Sequence, residues 1–341
     1  METLLSIDET TDEEENRRWS SGLERWRNVD GDYMSYTSIA NQFNSSGAEY
    51  RFDGGHEAWL TYRLWFAPDF DFGRNEKAHS VGGKLPGLAA KGPAASAALG
   101  HTGGNHDEWG WSGRLMWRGF RSDGRSYRPA DAIGIGLYAY DLETAMGRQY
   151  GRQILFRTDG ATTNPPHQSF DGTNNGTSIG RIGDTGVWLA PVGEWITFTL
   201  GYGYGHPGSD TAPDGDWFTA YASTESDPTS RLVLHMTSEI ETDDRPRFAW
   251  ANANAEKSID SLLMQTYWGG ATSAWTPKSE TELRYANLRV TNSNPLRQPE
   301  PEADTPVAVS PSSRIAEVLA GVAPADRLGV ICDAYGQLPE K

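Results

Sequence analysis

A single cysteine, Cys332, stands in 341 residues, so no internal disulfide can staple the fold, and stability has to come from a hydrophobic core. No run of about 18 apolar residues occurs, which excludes a membrane-spanning helix. Basic side chains are scarce as well. Lys and Arg number 30 against 46 Asp and Glu, and the formal net charge of −16 disfavours nucleic acid and anionic lipid as partners. A polyanionic ligand is also repelled at long range. It has to be met by a local basic cluster, or in salt, where the Debye length shrinks to roughly 3 Å at 1 M. The opening stretch METLLSIDETTDEEEN lacks the basic start and apolar run of a secretory leader. The expectation is a secreted or cell-surface protein whose leader is not in this sequence, with a cytoplasmic protein as the alternative.

What is abundant points to strands. The chain holds 38 Gly, 13 Trp and 14 Tyr, a mixture suited to many short strands joined by tight turns. Segments 58–67, 111–118, 133–140, 153–157, 195–200, 217–223, 231–237, 261–267 and 282–290 read as strands punctuated by Gly, Asn, Asp and Pro. The organisation expected is an acidic disordered tail over 1–18, whose first 16 residues carry seven acidic and no basic side chains, and one all-β domain over 19–292. A Pro-rich acidic linker follows over 293–311, then a short segment over 312–341 in which Ile315, Val318, Leu319 and Val322 take helical spacing. A monomer is expected.

Two strands carry unusual faces. In 133–140 (IGIGLYAY), alternation puts Ile133, Ile135, Leu137 and Ala139 on one side and Gly134, Gly136, Tyr138 and Tyr140 on the other. The second side pairs two phenols with a bare backbone floor, which lets a ligand approach closely. In 111–118 (WSGRLMWR), Trp111, Gly113, Leu115 and Trp117 share one face, and Ser112, Arg114, Met116 and Arg118 the other. An arginine fork matches a carboxylate, although taken alone such a face is better explained by surface ion pairing. The third element is GGKLPGL, where glycines on both sides of Lys84 suggest a tight, defined turn.

Together, FDFGRNEKAHSVGGKLPGL, WSGRLMWR and the YAY ending at Tyr140 resemble the signature strands of polysaccharide lyase family 14, the alginate and glucuronate-polymer lyases, and the related glucuronan lyases of family 20. The segments SIDSLLMQTYWGGATSAWTP and LRYANLRV are similar to the end of the same domain, so the resemblance spans roughly residues 20–292. It implies a β-jelly roll of two antiparallel sheets whose concave face binds an acidic polysaccharide. It also maps the family's catalytic residues onto Lys84, Arg114, Tyr138 and Tyr140, with Ser112 beside them. Arg118 and Gln153 are added as substrate-binding residues. No metal ligands and no required cofactor are implied, with a structural cation such as calcium left open. The stretch AAKGPAASAALGHTGGNHDEWG departs from the family pattern; its His101, His106, Asp107 and Glu108 match no strong ligand spacing and read as solvated loop residues.

The chemistry implied is β-elimination on a uronate polymer such as alginate or glucuronan. The C5 proton is removed and the C4 oxygen expelled, leaving an unsaturated uronate end. Arg114, with Ser112, suits the developing charge on the C6 carboxylate. Lys84 is the favoured base and Tyr140 the proton donor, because nearby cations lower lysine and tyrosine pKa values from about 10.4 and 10. A tyrosinate base remains the alternative. Two rivals stand beside this reading. A glycoside hydrolase needs two carboxylates roughly 5 to 9.5 Å apart, drawn from Asp53, Glu57, Asp69 and Asp71. A non-catalytic carbohydrate-binding module would use Trp65, Trp109 or Trp268 as stacking platforms.

Overall fold

The computed structural model describes residues 1–7, 17–21, 26–29, 33–38, 45–72, 82–90, 111–120, 132–140, 152–158, 187–204, 215–237, 250, 258–268 and 277–297. Among these residues every regular element is a strand, so the all-β expectation holds. In chain order the strands are β1 (Thr3–Ile7), β2 (Arg17–Ser21), β3 (Trp26–Val29), β4 (Tyr33–Ser38), β5 (Ser45–Gly55), β6 (Glu57–Phe66), β7 (Gly83–Ala90), β8 (Trp111–Phe120), β9 (Ala132–Tyr140), β10 (Arg152–Leu155), β11 (Leu189–Ala190), β12 (Trp195–Gly203), β13 (Trp217–Thr224), β14 (Arg231–Thr237), β15 (Ile259–Trp268) and β16 (Thr281–Thr291). The chain divides into two units, 1–295 and 296–341. The described strands all lie in the first. The expected helix and residues 298–311 of the expected linker fall outside the described residues.

Two antiparallel sheets make up the first unit, a jelly-roll sandwich. One runs β14-β13-β12-β6-β16-β4-β3, with β1 also on β16; the other runs β10-β9-β8-β7-β15-β5-β2, with β11 also on β9. Strand alternation builds the core between them. Leu60, Tyr62, Leu64 and Phe66 of β6 point inward while Thr61, Arg63 and Trp65 point out. From the second sheet, Leu88, Leu115, Ile135, Leu137, Leu262 and Met264 join the same apolar cluster. Trp111 stacks on Trp250 at 4.1 Å between ring centroids, and its Nε1 donates to the Tyr204 hydroxyl.

Two expectations are corrected here. The acidic N-terminus is not a free tail throughout: Thr3–Ile7 forms β1, paired with β16 through Thr3 opposite Thr291 and Ile7 opposite Leu288. Leu5 is the reason, since it is buried and anchors the segment to the core. Residues 8–16 lie outside the described residues. Nor is Lys84 in a tight turn; it lies within β7, a central strand flanked by β8 and β15. Pro86, which has no N–H to give a ladder, is accommodated by a bulge. From Lys84 to Gly87, β7 takes three steps where β8 takes two, from Met116 to Arg114. The extra residue turns Leu85 into the core and brings Lys84 to the same face as Arg114.

Tyr62, Tyr202, Tyr204 and Tyr285 are buried phenols, and burial pushes their pKa values well above the ordinary value of about 10. A raised folded-state pKa means that their contribution is intact below pH about 10 and is lost as pH rises beyond it. The cost is up to about 1.4 kcal/mol for each phenol and pH unit. Thermal melts between pH about 9 and 12 should therefore show a steep fall in Tm. The tyrosinate absorbance of these four should appear only with unfolding, and their titration in a folded protein would contradict the burial described.

Candidate active site

The outward face of the second sheet carries the site. On β9, Ile135, Leu137 and Ala139 belong to the core, while Tyr138 and Tyr140 pack with Met116 and Leu155 in a separate cluster on the other face. On β8, Trp111, Leu115 and Trp117 face the core. Both faces are as the alternation predicts. The register then aligns the polar residues: Ser112 lies opposite Tyr140, Arg114 opposite Tyr138, and Lys84 opposite Met116.

The side chains converge. The Tyr138 and Tyr140 hydroxyls lie 3.1 Å apart, with the two rings edge to face at 5.1 Å. Lys84 Nζ sits 2.6 Å from the centroid of the Tyr138 ring, and the Arg114 guanidinium carbon lies 5.7 Å from the Tyr140 ring and 6.0 Å from the Tyr138 ring. Ring faces of this kind attract cations. Lys84, Arg114, Ser112 and both tyrosines are all buried.

Arg114 is the unusual member. It is 1% exposed, its Nη1 donates to Gln265 Oε1, and neither Nε nor Nη2 has a hydrogen-bond partner among the described residues. The Ser112 hydroxyl is likewise buried and unpartnered among them. Unsatisfied buried donors, above all charged ones, are costly to a fold and mark a place where something else is meant to bind. Toward the β5 edge of the same sheet, Arg51 has carboxylate partners, Glu49 at 3.5 Å and Asp260, and donates to Ser261 at 2.8 Å, although its Nε too makes no hydrogen bond among the described residues.

The backbone register places Gln153 opposite Tyr138 and Arg118 opposite Gly134, while their side chains lie outside the described residues. So do His101, His106, Asp107, Glu108 and Trp109. Among the described residues no group of three or more His, Cys, Asp or Glu is arranged to hold a metal ion. Of the carboxylates a hydrolase would use, Glu57 accepts from Trp59 Nε1 at 2.6 Å, and Asp71 holds the backbone of Lys278 and Ser279. Trp268 is a core residue, 1% exposed, and Trp65 is covered by Arg284 at 4.0 Å, so neither is a free stacking platform. Gln265 is the site residue that sequence reasoning missed. The signal was present in SLLMQTYW: Leu262, Met264 and Trp268 alternate into the core, which leaves Gln265 on the face of the site.

Residues 29–131 match the family model described as Polysaccharide lyase 14, a span that includes Lys84, Ser112 and Arg114. No curated protein matches the sequence. Among solved structures, the fold is similar to that of the marine PL-14 alginate lyase from Aplysia kurodai, at 15% identity and a TM-score of 0.55, covering 86% of this chain and 100% of that one. It is also similar to alginate lyase Aly36B, at 18% identity and a TM-score of 0.50, covering 86% of this chain and 98% of that one. At such identities the likeness to these structures is one of fold.

Proposed function

We propose that this chain, a polysaccharide lyase whose residues 29–131 carry the family 14 match, cleaves a uronic-acid polymer of the alginate or glucuronan type by β-elimination. The observation that carries the reading is the buried Arg114, whose Nε and Nη2 have no partner among the described residues and whose guanidinium lies beside the tyrosine pair that Lys84 also contacts. A uronate C5 proton is too weakly acidic while the adjacent carboxylate keeps its charge. Arg114 supports that step by taking the carboxylate on its Nε and Nη2 edge, where the negative charge grows as C5 loses its proton. The Ser112 hydroxyl, unpartnered and opposite Tyr140, serves the same group.

Lys84 takes the C5 proton, the C5 electron pair forms the C4–C5 double bond, and the C4–O bond breaks. The departing oxygen collects a proton from Tyr140. Tyr138, hydrogen-bonded to Tyr140, is placed to pass a proton along the pair. No metal is called on in this scheme.

Ultraviolet absorbance during incubation with polymannuronate, polyguluronate, glucuronan and a neutral glucan tests the class. A conjugated double bond should appear with at least one uronate polymer and not with the glucan; a rise on none of the three uronates would sink the proposal. The roles are separable too. Tyr140→Phe should lose turnover steeply with little change in affinity, since the ring stays and the transferable proton goes. Lys84→Ala should lose both most of the rate and the ascending limb of the pH–rate profile. An ascending limb kept in Lys84→Ala but lost in Tyr140→Phe would make a tyrosinate the base.

A further inference from the structure

We propose that Gln265 is the positioning residue for Arg114, fixing the guanidinium through Nη1 while leaving its charge and its Nε–Nη2 edge to the substrate carboxylate. The inference rests on the reading of Arg114 given above and assigns a specific device to it. The two residues stand on β8 and β15, which are not neighbours: β7 runs between them. With strands about 4.8 Å apart, the link has to span roughly 10 Å of sheet. The residue of β7 opposite Arg114 is Gly87, and a Cβ there would lie 2.5 Å from Arg114 Cα and collide with the Gly113 carbonyl. On the other side Gln265 opposes Gly47 of β5, where an added Cβ would come within 2.9 Å of Gln265 Cγ. Glycine thus stands on the intervening strand opposite Arg114, where its side chain sets out toward Gln265, while Gly47 leaves the glutamine uncrowded on its other side.

The neutrality of the partner is the point. Elsewhere in this protein Arg284 shows what a carboxylate does to a guanidinium: its Nε and Nη2 bind Glu282 at 3.0 and 2.9 Å, the same edge that Arg114 keeps unpartnered. A glutamate at 265 would hold Arg114 equally well and cancel the charge that the reaction needs. An amide holds without cancelling.

The test uses Q265E and Q265M in the full chain, with R114A beside them, on whichever uronate polymer the wild type cleaves. Q265E should lose at least about 100-fold in kcat/KM, because the transition-state charge loses its counter-charge. Q265M, similar in length and without an acceptor, should lose about tenfold, the worth of one hydrogen bond to a charged group. Binding of a short uronate oligomer, followed by calorimetry, should fall in the same order. Tm should run the other way between the two variants, with Q265E at or above Q265M. A purely structural role for Gln265 predicts that activity follows Tm, so Q265E more active than Q265M overturns the proposal. Wild-type kcat/KM in Q265M overturns it even if Q265E does not fold. Should R114A abolish activity while Q265E keeps it, the positioning role falls and the lyase reading stands. Should R114A stay fully active, both fall.

Discussion

Turnover by an Arg114→Ala enzyme is expected to drop by about two to three orders of magnitude at saturating substrate, the usual cost of losing one preorganised donor to a developing oxyanion. The protein itself should stay folded. Among the described residues Arg114 contributes one side-chain hydrogen bond, to Gln265, and leaves two buried donors unpartnered, so its removal relieves a desolvation cost as well as losing a contact. Tm in the variant should accordingly be close to, or above, that of the wild type. Initial rates from ultraviolet absorbance, read beside a thermal melt, check both halves. Near-native turnover would remove Arg114 from the mechanism, and a collapsed Tm would mean that the loss of rate says nothing about chemistry.

Trp117→Ala should do the reverse, lowering stability by about 3 to 5 kcal/mol, the range for truncating a large aromatic in a packed interior. The ring is fully buried, with Phe70 at 5.8 Å, Trp268 at 5.4 Å and Phe66 at 6.1 Å between centroids. It also lies directly over Gly83, where no side chain fits beneath it. The cavity would open beside the first residue of β7, so a loosened Lys84 should accompany the loss of stability. Chemical denaturation gives the measurement, and an unchanged midpoint would show that the inward face of β8 has been misassigned. Arg114 and Trp117, three residues apart on one strand, thus separate function from stability because they project to opposite faces.

Those two faces were legible in the sequence because β8 and β9 obey strict alternation, with large apolar residues on one parity and the polar site on the other. Nine of the strands were readable on the same basis, each within a few residues of its observed ends. What escaped was of two kinds. Segments such as β5 (SSGAEYRFDGG) carry glycine and charge inside the strand, and only their tertiary partners make them strands: Ala48 and Tyr50 reach the core, while Glu49 and Arg51 form an ion pair on the other face. Glycine and proline misled in GGKLPGL, where both usually mean a turn and here permit a bulge in a central strand. Gln265 escaped for another reason. Its role depends on an arginine 151 positions away, and neither residue signals the other along the chain.

The bulge at Pro86 has a consequence of phase. In an unbroken strand residues three apart face opposite ways, so Lys84 and Gly87 could not both look toward Arg114. The surplus residue of β7 shifts the alternation by half a period, and everything before it in the strand changes sides. Were the same residues paired with β8 without the bulge, Lys84 would fall opposite Trp117, which faces the core, and the ammonium would be aimed into the hydrocarbon between the sheets. The amine's place among the polar groups is therefore written as a parity, in a single irregular step of the backbone, rather than in the identity of any residue that touches it.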